Sequence, residues 1–121
     1  MNVLIVDDNQ AAADLMQELL QLQEHRARCT YSGEEALLAF ATEHFDIALV
    51  DLILPDLPGT EVVRRMRASA ANPLLVVVAI SGLAAGDAPA ADEPGLFDHY
   101  LQKPIDFDAL DRILATAQGN Q

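Results

Sequence analysis

The stretch Val3-Leu4-Ile5-Val6-Asp7-Asp8 sets four apolar residues in a row and follows them with two carboxylates. A short unbroken apolar run is the pattern of a strand buried on both faces, whereas a strand with one wet face alternates. The same figure recurs downstream, where Ile47 to Val50 runs into Asp51 and Leu74 to Ile80 into Ser81, and a fourth segment ends at Lys103. In a parallel sheet the carboxyl ends of the strands share one edge, and ligands of open α/β sheets bind just outside it. Three carboxylates, one hydroxyl and one ammonium are therefore expected to meet in one place.

The segments between these runs read as helices and one further strand. After Asp8 a helical period puts Ala12, Leu15, Leu19 and Leu22 on one face, and Arg26 to Tyr31 then alternates as a second strand. Ser32 caps a helix carrying Ala36, Leu37 and Phe40, and forms a capping box with Glu35. The loop with Pro55, Pro58 and Gly59 is longer than its turn needs, which marks it as a functional candidate. Val62, Val63 and Met66 form the core face of the next helix, which Pro73 stops. Leu74 to Ile80 is the most hydrophobic stretch and is expected to be the central strand. Asp106 caps a last helix with Leu110, Ile113 and Leu114 inward and Gly119 just past its end.

Strands alternating with helices predict an α/β fold, a five-stranded doubly wound parallel sheet with right-handed crossovers. A further helix is expected between Ala84 and Gly95, where Pro89, Pro94 and two glycines stand. With Asp87 as cap and Pro89 just inside, about one and a half turns fit before Pro94, so this helix should be short or irregular.

With 121 residues, 51% of them apolar, the chain can bury a core without disulfides, and one domain over residues 1–121 is expected, with no output domain attached. Nineteen acids against seven bases give a net charge of -12, which repels nucleic acid phosphates and anionic lipids and argues against direct nucleic acid binding. No apolar run approaches the roughly 20 residues of a membrane span and there is no secretory start, so a cytoplasmic protein without membrane insertion is expected. Cys29 reads as a packed or half-exposed thiol. Arg64, Arg65 and Arg67 read as a solvated basic face, and His25, His44 and His99, which share no metal-ligand spacing, as surface residues. Lys103 is the only lysine; the other six bases are arginines.

Asp7, Asp8 and Asp51 at one edge cannot all stay ionised without a compensating cation. Oxygen-only ligands suit a hard divalent ion, and Mg²⁺ takes a few carboxylates while keeping waters and a phosphate oxygen. A metal, a lysine and a hydroxyl without histidine or cysteine point to a phosphoryl group as ligand. An aspartate can be the nucleophile that forms an aspartyl phosphate, and the rest of the site need only position and neutralise.

These residues resemble the receiver domains of two-component response regulators. The resemblance covers Met1 to about Ala117 and rests on Asp7-Asp8, on Asp51 followed by Leu52-Ile53-Leu54-Pro55-Asp56-Leu57-Pro58-Gly59, on Ser81-Gly82 and on Tyr100-Leu101-Gln102-Lys103-Pro104. It implies a flavodoxin-like sheet of strand order 2-1-3-4-5 and a phosphorylation switch. Asp51 would be the phosphoacceptor, Asp8 a direct ligand of Mg²⁺ (or Mn²⁺), Asp7 a ligand mainly through water, and the backbone carbonyl of Ile53 a further ligand. Ser81 and Lys103 would contact the phosphoryl oxygens, Gly82 would leave them room, Pro104 would follow a cis peptide bond, and Tyr100 would be the switch aromatic that moves with Ser81.

The phosphoryl donor implied is a phosphohistidine on a sensor histidine kinase or a histidine phosphotransfer protein, and the output an unknown downstream protein target. A stand-alone regulator, a phosphorelay intermediate and a receiver excised from a longer protein all remain open; Phe97-Asp98-His99-Tyr100 is similar to receivers of hybrid histidine kinases. Two features depart from the family pattern. The prolines disturb the helix that often carries output, and Leu96 stands where relatives often have glycine. Ile53 and Leu83 are apolar neighbours of the site that would not orient an attacking water, so a long-lived phosphorylated form is expected. The alternatives are a Mg²⁺-dependent phosphohydrolase, which usually needs an aspartate where Ile53 stands, and an unphosphorylated receiver-like binding module, which would usually lose Asp51, Lys103 or the acidic pair.

Overall fold

A computed structural model describes residues 1–69, 74–82 and 95–119. The strands are β1 (Asn2–Val6), β2 (Arg26–Thr30), β3 (Ile47–Asp51), β4 (Val76–Ser81) and β5 (His99–Gln102). The helices are α1 (Gln10–Leu22), α2 (Gly33–Thr42), α3 (Gly59–Ser69) and α4 (Phe107–Gly119). The sheet runs β2-β1-β3-β4-β5 with every pair parallel, the doubly wound order expected from the strand–helix alternation and the resemblance. The helix expected between Ala84 and Gly95, with Asp87, Pro89 and Pro94, lies outside the described residues except for Gly95, as do Pro73 and Leu83.

The apolar runs are continuous because helices cover both faces of the sheet. Val3, Ile5, Leu49, Val78 and Ile80 face α1 and α4, where Met16, Leu20, Leu110 and Leu114 complete one core. Leu4, Val6, Ala48, Val50 and Val77 face the other way and meet Ala36, Ala39, Val62, Val63 and Met66 of α2 and α3. Each of β1, β3 and β4 still alternates in direction, but both directions are dry, so the period of two disappears from their sequences.

Four readings of the sequence are corrected. The buried residues of α1 are Ala13, Met16 and Leu20, whereas Leu15 and Leu22 are 51% and 78% exposed. Both sets keep helical spacing one residue apart, so the period was right and the phase was not. The middle strand is β3, buried at every residue, while Leu74 is half exposed and precedes β4. Hydrophobicity reports burial on two faces, which β1, β3 and β4 share, rather than rank in the sheet. Gly119 belongs to the last helix rather than following it. His25 and His99 are half-buried, with His25 Nδ1 3.4 Å from the Met1 amino group.

The basic cluster also divides. Arg64 and Arg65 pair with Glu61 at 3.0 and 3.2 Å on the exposed side of α3. Arg67 instead turns inward: its guanidinium donates to the Leu75 carbonyl at 2.9 Å, to the Leu96 carbonyl at 3.1 Å and to Asp98 Oδ2 at 2.9 Å. Asp98 Oδ2 also accepts the Val77 N–H at 2.8 Å, so Arg67 joins the end of α3 to the starts of β4 and β5. Only a planar fork with several donors serves all three acceptors. Arg67→Ala is expected to lower stability by about 2 kcal/mol, because partly buried carbonyls lose a charged donor. Arg67→Lys should recover less than half of that in urea unfolding; an unchanged midpoint in Arg67→Ala would return the residue to the solvated face.

Candidate functional site

Parallel register brings the strand ends to one edge: Val6 lies beside Thr30 and Val50, Asp51 beside Ile80, and Ser81 beside Gln102. Asp7 extends β1 by one rung, its N–H donating to the Thr30 carbonyl at 3.0 Å. Its Oδ1 accepts the Asn9 N–H at 3.0 Å, and Asn9 in turn caps α1 by accepting the Ala12 N–H. Asp51 ends β3, and its Oδ1 accepts the Ile53 N–H at 2.9 Å. Lys103 follows β5; its N–H donates to the Ser81 carbonyl at 2.7 Å and its bond to Pro104 is cis.

The side chains converge. Lys103 Nζ lies 2.8 Å from Asp51 Oδ2 and 3.6 Å from Asp7 Oδ2. Carboxylate oxygens of Asp7, Asp8 and Asp51 all lie within 4.8 Å of one another; Asp7 and Asp51 are buried and Asp8 is exposed. This donor set is oxygen only and open to solvent on one side, which fits a hard divalent cation that keeps part of its water shell. Among the described residues no other group of His, Cys, Asp and Glu is arranged to hold a metal.

Burial is the main force pushing the Asp7 carboxyl above its usual range; the Asn9 N–H and the Lys103 ammonium oppose it, and Asp51 adds to it. Burial also works against the Lys103 ammonium, but the bond and charge of Asp51, with Asp7 behind, outweigh it and raise the pKa of the lysine. One cation thus answers two buried carboxylates, and the balance is incomplete on the acid side.

The remaining candidates surround this cluster. Ser81 is buried at the end of β4, and a Cβ at Gly82 would meet nothing within 4 Å. Tyr100 is half-buried on β5 in a small cluster with Leu52, Ala79 and Phe97. The Ile53 side chain is 67% exposed. Gly59 is dictated by close approach: a Cβ there would stand 2.4 Å from the Asp51 carbonyl oxygen and 2.7 Å from the Leu52 Cα. Alanine at this position would push α3 off the strand end that carries Asp51.

Two features were not singled out from the sequence. Asp56 reaches across to α2, where Oδ1 accepts the Gly33 N–H at 2.8 Å and Oδ2 the Glu34 N–H at 2.9 Å. These bonds hold the Asp56 carboxyl below its usual range. Nothing local announces a cap supplied from 23 residues away. The second feature is an apolar cleft of about 280 Å³ beside Lys103, between α1 and the loop after β5, with Leu15 and Phe107 on its rim. Leu15 is apolar and lies off the core face, a position that the helical period alone does not mark.

Comparison with known proteins gives one answer. The model of the response regulator receiver domain family matches residues 3–115. The chain is 32% identical over 117 residues to the transcriptional regulatory protein ZraR of Salmonella typhimurium, covering 96% of this chain and 26% of that protein. It is 31% identical over 116 residues to the sensor histidine kinase AtsR of Burkholderia thailandensis, covering 95% of this chain and 19% of that one. The chain therefore spans about a quarter or less of these two curated relatives. A CheY-like response regulator receiver domain from Methylobacillus flagellatus superposes with a TM-score of 0.86 at 39% identity, covering 97% of this chain and 98% of that structure.

A raised Asp7 pKa means that ionising this carboxyl is harder in the folded chain than in the unfolded one. Stability is therefore lost as pH rises from the ordinary carboxylate value through the raised one. Asp7→Asn, which keeps an acceptor for the Asn9 N–H, is expected to raise the unfolding temperature at pH 7 in metal-free buffer. The gain should shrink as pH falls below the ordinary carboxylate range; a variant less stable than wild type at pH 7 would contradict the assignment.

Proposed function

The chain belongs to the response regulator receiver domain family and is a receiver domain of two-component signalling, and from that premise we propose that Asp51 accepts a phosphoryl group from a phosphohistidine on a partner protein. The observation that carries this reading is the state of Asp51: buried, one oxygen held by the Ile53 N–H, the other by Lys103, with two more carboxylates within 4.8 Å. In the transfer, the P–N bond of the donor breaks as a P–O bond to Asp51 forms. The leaving imidazole nitrogen keeps the electron pair and takes up a proton. The domain promotes its own phosphorylation by holding the nucleophile in line and supplying positive charge.

Asp8 and Asp51 would hold Mg²⁺, or Mn²⁺ in its place, directly, Asp7 mainly through water, and the Ile53 carbonyl would complete the protein's share. When bound, the ion supplies charge neutralisation for the acids and the phosphoryl oxygens. Lys103 is close enough to Asp51 to follow the phosphoryl group once the acyl phosphate has formed, and Ser81 on the adjacent strand would donate to the same group. Tyr100 would report the change, since a phosphoryl group shifts the population only through contacts that differ between the two states.

The donor is a sensor histidine kinase or a histidine phosphotransfer protein, and the output is a downstream protein target in the cytoplasm. Among the described residues no helix is long and apolar enough to cross a membrane. The apolar rim made by Leu15 and Phe107, beside Lys103, offers the donor protein a dry surface next to the acceptor.

Incubation with a small phosphodonor and Mg²⁺ is expected to give one base-labile phosphoryl adduct by intact mass, absent from Asp51→Asn. Continuous turnover of phosphate esters would favour a phosphohydrolase, and no adduct under any condition a binding module. Because the exposed Ile53 is apolar and orients no water, the adduct is expected to persist for minutes or longer without a phosphatase; a half-life of seconds would contradict this.

A further inference from the structure

The loop between β3 and α3 has three fastenings. At its start the Leu52 N–H donates to the Ile80 carbonyl at 3.0 Å, and at its end the Gly59 N–H donates back to the Leu52 carbonyl at 3.0 Å. Between them Asp56 binds two N–H groups of α2 and accepts the Leu57 N–H at 2.9 Å. Ile53 lies between the first and second fastenings, and with its side chain 67% exposed, packing does little to fix it. Its N–H, bonded to Asp51 Oδ1, and the chain on either side therefore set where its backbone stands. Leu54 and Leu57 are only partly buried against the α2–α3 core.

The clip on α2 is also well supported from the helix side. Ser32 Oγ accepts the Glu35 N–H at 3.2 Å, and Glu35 Oε2 accepts the Tyr31 N–H at 3.0 Å. The back-bond of Glu35 goes to Tyr31 rather than to the Ser32 N–H that the expected capping box requires, and these local caps leave the Gly33 and Glu34 N–H groups to Asp56. Space confirms the docking: a Cβ at Gly33 would lie 2.8 Å from Val62 Cγ2 and 3.2 Å from Asp56 Oδ1. A carboxylate on the positive end of a helix is an anchor of fixed position, because it matches both the free donors and the dipole.

We propose that Asp56 is a positioning residue for the Mg²⁺ site, holding the Ile53 backbone in place by clipping the β3–α3 loop onto the N-terminus of α2. This rests on the reading of Asp7, Asp8, Asp51 and the Ile53 carbonyl as the metal site. It makes α2, which contributes no ligand, part of the site's scaffold.

The test sets Asp56→Ala and Asp56→Asn against Ser32→Ala, which removes the other cap of the same helix without touching the loop. Mg²⁺ affinity is measured by calorimetric titration, stability by urea unfolding, and the Ile53 amide by hydrogen exchange. Asp56→Ala is expected to weaken Mg²⁺ binding by about tenfold, at the low end of what loss of a ligand-orienting partner costs, and to speed Ile53 exchange. Asp56→Asn keeps an acceptor for Gly33 but none for Glu34 and should fall between, which also serves if the alanine variant does not fold. Ser32→Ala should lower stability and leave Mg²⁺ affinity unchanged. Wild-type affinity in both Asp56 variants would reduce Asp56 to a helix cap and overturn the proposal. A wild-type protein that binds no Mg²⁺ would overturn the metal reading itself, a failure distinguishable from the first.

Discussion

Two buried carboxylates and one exposed one share the carboxyl edge of the sheet with the chain's single lysine, and the rest of the site is arranged around that imbalance of charge. Asp7 and Asp51 are each placed by a strand end rather than by a flexible loop, so neither can move away from the other. Lys103 is fixed in the same manner, since its backbone N–H continues the β5 ladder onto Ser81 while its ammonium spans both acids. The arrangement leaves a demand for positive charge that one lysine does not meet, and a hard divalent cation is the kind of ion that would answer it.

The scaffold holds this edge by close approach and by long-range hydrogen bonds. Gly59 lets α3 begin in contact with the Asp51 backbone, and Asp56 ties the intervening loop to α2. Arg67 does the corresponding work at the opposite end of the sheet, joining α3 to the starts of β4 and β5. Asp51, the proposed acceptor, is thereby braced through backbone contacts, while Ser81 and Tyr100, the residues proposed to respond, sit on the neighbouring strands β4 and β5.

What could be read in the sequence depended on how local its cause was. The strand runs, the Ser32 cap and the polar strand ends are local, and their order alone implied a parallel sheet with one shared edge. The α1 face was misread by one residue because a helical period has no absolute phase; that phase is set by how β1 hands the chain to α1. Arg67 looked solvated because its neighbours Arg64 and Arg65 are, and its acceptors lie 8 and 29 residues away. The reach of Asp56 to α2 is hidden for the same reason, its partners lying 23 and 22 residues away. Asp7, Asp51 and Lys103 were legible as a group because each ends a strand, a position that the pattern itself marks.

A crystal structure grown with Mg²⁺ and beryllofluoride, a stable phosphoryl mimic, tests the central claim most directly. The account predicts the mimic on an Asp51 oxygen, the cation on Asp8, Asp51 and the Ile53 carbonyl, and Lys103 and Ser81 in contact with the fluorines. A mimic bound away from Asp51, or a cation held without Asp8 and Asp51, would contradict it.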